Sequence, residues 1–122
     1  MVRKSYVSFF QEQPVYKRIE MSRRLEEKYP DRCCVIIDRG ARGGEVPAIE
    51  KHKYLVPKDL TFAQFSLVIR KQLQLPAPTA VFFFVNDKSL PQSSALMSTI
   101  HERCKSEDGF LYMTYNGENT FG

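Results

Sequence analysis

The sequence predicts an α+β domain: a four-stranded mixed sheet with one principal helix across a face, and two extra helices in front of it. Three observations predict it. CCVIID (33–38) and AVFFFV (80–85) are continuous apolar runs rich in β-forming residues, the pattern of buried strands. Between them Phe62, Phe65, Val68, Ile69 and Leu73 recur at helical intervals, and Thr61 and Gln64 have the spacing of a capping box. The chain has 122 residues, 43% of them hydrophobic. That is enough for one core burying about two-thirds of the unfolded surface, and too little for two ordinary domains.

The elements follow in order. A short helix is expected near residues 4–10, and Pro14 suits the first position of a second helix reaching about Lys28. On that helix Val15 and Ile19, with Tyr29 beyond them, share one side, the expected core face. Met21 and Leu25 lie off that side, beside Lys17, Arg24 and Lys28. This second apolar pair is either covered by the short N-terminal helix or left for a partner. After the strand at 33–38, the three glycines of RGARGGEV (39–46) mark a turn. KYLV (53–56) is a short strand that Pro57 ends; because proline cannot donate to a ladder, it is expected at a sheet edge. The helix from Thr61 and the strand at 80–85 come next, and Asn86-Asp87 begins a turn. Ser94 is a candidate cap for a helix through about Arg103, and FLYMTY (110–115) is the last strand. NGENTFG (116–122) has neither period nor hydrophobic mass and is expected to be a mobile tail. A hairpin, a crossing helix and two further strands make the β-grasp plan of ubiquitin. Residues 1–29 then form a helical extension, 30–115 the ubiquitin-like core and 116–122 the tail.

Composition narrows the function. The longest apolar run is Ala80 to Val85, against the roughly 20 residues of a bilayer helix. The N-terminus falls short of a secretory signal, so a cytosolic protein is expected. Three cysteines, two of them adjacent, make a poor disulfide framework and suit a reducing compartment. The formal net charge is +4, with 8 Lys/Arg against 5 Asp/Glu in residues 1–32 and only Glu107, Asp108 and Glu118 charged from 106 onward. A basic front with an acidic rear lacks the dense stripe of a nucleic-acid binder. It either attracts acidic partners, such as anionic lipid or acidic protein tails, or is a solvated helix face.

Signals of catalysis are weak. Cys33 and Cys34 fall on a buried strand, where cysteine is an inert hydrophobe, and nothing places a histidine beside a thiol. His52 and His101 are isolated, no zinc spacing exists, and the glycines at 40, 43 and 44 lack the ending of a phosphate loop. No cofactor, metal or catalytic residue is expected. Two features remain. In KYLVP, Lys53, Leu55 and Pro57 point one way while Tyr54 and Val56 point the other, so neither face is cleanly polar. Such a strand is either ordinary core or an edge to which a peptide can add as a strand, with side-chain pockets on both sides. At the other end, Asn116 to Gly122 span at most roughly 25 Å when extended. A terminal glycine has no Cβ to hinder entry into a narrow reaction channel.

KYPDR (28–32), KYLVPKDLT (53–61), FSLVIRKQL (65–73), FFFVND (82–87) and DGFLYMTYNGENTFG (108–122) closely resemble the ubiquitin-like autophagy modifier family, which includes yeast autophagy protein eight, GABARAP and the microtubule-associated light chain proteins. The similarity runs through nearly the whole chain and is weakest in residues 1–12 and 39–50. It implies a ubiquitin core behind two N-terminal helices. It also implies that a cysteine protease trims a precursor to its last glycine. Activating and conjugating enzymes then carry the chain as a thioester and link it to phosphatidylethanolamine on autophagosomal membranes. Gly122 matches the acceptor glycine and Phe121 the aromatic before it; a chain encoded to end there would need no first cleavage.

The resemblance further implies docking of aromatic-x-x-aliphatic motifs from autophagy receptors. The aromatic pocket would be lined by Met21, Leu25, Cys34, Ile36, Lys53, Leu55 and Phe110, and the aliphatic one by Tyr54, Val56, Pro57, Leu60, Phe65 and Val68. Arg32 and Lys53 would attract acidic residues flanking the motif. Cys34 stands where many relatives have proline, which alters the aromatic pocket, and Gln72 where many have arginine. The expected protein is thus a non-catalytic modifier and adaptor of macroautophagy, cytoplasmic until lipidated. The alternatives are a modifier joined to protein lysines, and a non-covalent scaffold, for instance on tubulin tails.

Overall fold

The computed structural model describes residues 6–40, 46–86, 88–89 and 93–117. Phe121, Gly122 and most of the glycine turn at 39–46 lie outside the described residues. In chain order the elements are α1 (Tyr6–Gln11), α2 (Val15–Lys28), β1 (Arg32–Arg39), β2 (Lys53–Pro57), α3 (Phe62–Leu73), β3 (Phe82–Val85), β4 (Lys88–Ser89), α4 (Met97–Cys104) and β5 (Leu111–Asn116). The sheet order is β2-β1-β5-β3-β4. β1 runs antiparallel to β2 and parallel to β5, and β3 is antiparallel to β5. The four expected strands make the mixed sheet, and the two-residue β4 adds a short hairpin to β3.

Alternation along the strands divides the apolar residues between two faces. Cys33, Val35 and Ile37 of β1, Tyr54 and Val56 of β2, and Leu111, Met113 and Tyr115 of β5 join Phe62, Phe65, Ile69 and Leu73 of α3 in the main core. Their neighbours Cys34, Ile36 and Phe110 turn to the opposite face and meet Phe10 in a second, smaller cluster. That is why β1 has five buried residues in succession: it is covered on both sides. At the start of α3 the capping box is complete. The Thr61 hydroxyl accepts from the Gln64 amide and the Gln64 side chain accepts from the Thr61 amide.

Several expectations are corrected by packing. Val15 and Ile19, expected on the core face of α2, are 36% and 42% exposed, while Met21 and Leu25 pack against the smaller cluster. The sheet meets α2 along the other stripe because the helix is tied there by its one buried residue, Ser22, which donates to the Asp108 carbonyl. Ser94 does not cap α4. The cap is Leu96, held in a bridge with Thr61, and the Met97 amide donates to the Leu60 carbonyl instead. β3 starts at Phe82 and not Ala80, because pairing with β5 begins at Phe82–Asn116. The same pairing makes Asn116, the residue expected to begin the tail, the last residue of β5.

Candidate docking site at the edge strand

β2 ends the sheet on one side, as its proline foretold. The Ile37 amide donates to the His52 carbonyl. In an antiparallel ladder bonded pairs alternate, so Val35–Tyr54 and Cys33–Val56 share that phase of the register. The backbone groups of Lys53 and Leu55 therefore face the open edge. Two amide and carbonyl pairs in that position can accept an added strand.

Side chains of this edge reach both faces. Toward α2, the fully buried Cys34, Ile36 and Phe110 form a floor, and the half-buried Met21, Leu25 and Leu55 stand around it. The Lys53 ammonium sits 3.3 Å from the Met21 sulfur and 5.3 Å from the centre of the Phe10 ring. All seven residues assigned to the aromatic pocket are therefore brought together. Phe10 stands among them, its ring edge-on to Phe110 at 5.3 Å. Cover by the first helix is one of the two possibilities the α2 pattern leaves open, but nothing in the sequence marks Phe10, since residues 4–10 have no period that sets one aromatic above another. Beyond Met21 and Leu25 a groove of about 380 Å³ continues along α2, edged by Lys17 and Arg24.

Toward α3, Tyr54, Val56 and Phe65 are buried in the main core, with Tyr54 edge-on to Phe65 at 6.0 Å. Pro57 and Leu60 are half-buried and Val68 is 39% exposed, so of the six residues expected in the aliphatic pocket only these three reach the surface. Arg32 is exposed at the end of β1 that pairs with Pro57.

The two adjacent cysteines and both histidines are occupied by structure. Burial pushes the Cys33 and Cys34 thiols up to about 11, so neither is a thiolate at neutral pH. His52 stacks on Tyr6 with ring centres 4.2 Å apart, and its Nδ1 lies 2.9 Å from the Ile37 carbonyl. His101 is buried, with Nε2 2.9 Å from the Gly109 carbonyl. Among the described residues no three His, Cys, Asp or Glu side chains gather as a metal site, and no helix is long and apolar enough to cross a membrane.

Asp108 was not singled out by the sequence, yet it is the most heavily bonded side chain near the site. Buried at 1% exposure, its carboxylate accepts from Arg18 of α2 at 2.7 Å, from the Phe110 amide at 2.9 Å and from the Tyr112 hydroxyl. Burial, then the bond to Asp108, pushes the Tyr112 phenol up to about 12. Beside it Gly109 takes a φ of 89° against the Ser22 side chain, a conformation and a clearance that suit only glycine. No local signal marks a bond across 90 residues.

Comparison with known proteins agrees with this architecture. Residues 17–122 match the family model described as autophagy protein Atg8, ubiquitin-like. Autophagy-related protein 8c of Arabidopsis thaliana is 54% identical over 115 residues, which cover 94% of this chain and 95% of that one. Autophagy-related protein 8 of Schizosaccharomyces pombe is 56% identical over 106 residues, covering 87% and 86%. The crystal structure of Trypanosoma brucei ATG8 superposes with a TM-score of 0.84 at 39% identity, covering 98% of this chain and 100% of that one. The chain belongs to the Atg8 family of ubiquitin-like autophagy proteins.

Proposed function

We propose that the chain is conjugated through the Gly122 carboxyl group to the amine of phosphatidylethanolamine, and that the β2 edge then recruits autophagy receptors to that membrane. The observation that carries the adaptor half is the open edge at Lys53 and Leu55 with apolar floors on both of its faces. A receptor peptide adds as a strand, puts its aromatic side chain toward Phe110 and its aliphatic one toward Leu60 and Val68, and sets acidic flanking residues near Arg32 and Lys53. An aromatic anchor with an added strand gives micromolar affinity, about 8 kcal/mol.

The conjugation half is supported by membership of the family and by the Phe121-Gly122 pair within the matched residues. An activating enzyme adenylates the carboxyl group, a conjugating enzyme holds it as a thioester, and the lipid amine displaces the thiol to form an amide. Phe121 and Gly122 give the enzymes an aromatic followed by an unhindered carboxylate. The chain supplies the acyl group and the enzymes supply the catalysis. A processing cysteine protease acts on any extension beyond Gly122, and on this reading the protein moves from cytoplasm to autophagosomal membrane.

Reconstitution with the activating and conjugating enzymes, ATP and phosphatidylethanolamine vesicles tests this. The expected product is an adduct heavier by one phospholipid less one water, absent without the lipid. Transfer to protein lysines with no lipid adduct would instead identify a protein-conjugated modifier.

A further inference from the structure

The floor of the aromatic pocket is already covered in the free chain. Cys34, Ile36 and Phe110 are 2%, 0% and 0% exposed, and Phe10 itself only 3%. An aromatic side chain buries about 150–250 Å² when it docks, so a receptor ring can reach this floor only if something leaves. The covering groups differ in how firmly they are held. Met21 and Leu25 belong to the 14-residue α2, which the Arg18–Asp108 pair and the Ser22 bond tie to the β5 end. Lys53 and Leu55 belong to a paired strand. Phe10 is carried by α1, a helix of six residues, far below the roughly 12 residues at which an isolated helix becomes even marginal. Besides the Phe10 ring, α1 is held by the Tyr6–His52 stack, by a 3.4 Å bond from the Val7 amide to Asp38, and by the half-buried Tyr6 and Val7 side chains against the smaller cluster. Its other phenylalanine, Phe9, is 65% exposed.

We propose that Phe10 is an internal ligand of the aromatic pocket. In the resting chain α1 seats the Phe10 ring edge-on against Phe110 and under the Lys53 ammonium, and a receptor's aromatic side chain binds by displacing it. This rests on the docking site proposed above and adds its regulation. Apparent affinity is the intrinsic affinity multiplied by the fraction of molecules in which the ring is out, so weak or poorly flanked motifs are rejected. Any partner that holds α1 elsewhere sensitises the groove.

The test uses the whole chain and a synthetic peptide with acidic residues before Trp-x-x-Leu. In the free protein, nuclear Overhauser contacts between the Phe10 and Phe110 rings are expected. At saturation they vanish, and contacts from the peptide Trp to Phe110 replace them. In titration calorimetry Phe10→Ala binds about 3- to 10-fold tighter than the native chain, by the same population argument, while Phe9→Ala binds as the native chain does. Persistence of the Phe10–Phe110 contacts beside peptide contacts to Leu55, or unchanged or weaker binding by Phe10→Ala, overturns the internal ligand and leaves the docking groove standing. Peptide contacts to neither Leu55 nor Phe110 overturn the groove and the internal ligand together. The spectra of the native chain decide the matter even where the Phe10→Ala variant folds poorly.

Discussion

Asp108 holds the floor of the proposed groove in place. Its carboxylate takes three donors, from α2, from the backbone at Phe110 and from β5, and each loses that bond without it. Removing one partner of a buried charge costs more than the pair contributes, because the other charge is left without solvent. Arg18, with 15% of its side chain exposed, has little water to fall back on. Asp108→Ala should therefore destabilise the chain by about 3 kcal/mol, read as a lower urea midpoint with unchanged slope. Tyr112→Phe, which removes one hydroxyl donor and no charge, should cost about 1 kcal/mol. Equal losses for the two variants would show that the charge is not what matters.

At the scale of elements, α4 brings a titratable group inside. Burial holds the His101 imidazole below its ordinary value, only partly offset by the bond to the Gly109 carbonyl. The unfolded chain therefore binds a proton at a pH where the folded chain does not. Stability rises with pH wherever the unfolded state is the more protonated, so it falls as pH drops below the unfolded value of about 6.5 and levels off below the folded one. Urea unfolding at pH 7.5 and 5.5 should show a loss at the lower pH that shrinks in His101→Gln, whose amide can still donate to the Gly109 carbonyl. A loss of the same size in that variant would assign the pH dependence to other groups. The elements themselves show how far local pattern reaches. The α3 capping box and the edge position of β2 were readable because each depends on neighbours in sequence: Thr61 with Gln64, and Pro57 with the strand it ends. The buried stripe of α2 was not. It carries apolar residues on two sides, and which side packs was decided by Ser22 meeting Asp108, 86 residues away.

For the whole molecule, the proposed function puts two activities on separate parts of the chain. Receptor binding is assigned to the folded edge at β2, and conjugation to a carboxyl group beyond β5. Leu55→Ala should weaken the receptor peptide by about tenfold, the cost of truncating one well-packed apolar contact, and leave conjugation intact. Deleting Gly122 should abolish the lipid adduct and leave peptide affinity unchanged. Calorimetry and intact mass on both variants check this together; a lipid adduct that survives the deletion would refute the attachment site.

The sequence by itself determined the mixed sheet, the principal helix and the edge strand, because periodicity, capping and proline act over a few residues. Through runs such as KYLVP that match a family, it also marked residues that meet at the β2 edge. Only the tertiary structure decided which face of α2 is buried, that Asp108 ties α2 to β5, and that Phe10 lies over Phe110. Those outcomes depend on contacts between segments far apart in the chain, whose geometry exists only once the sheet has brought them together.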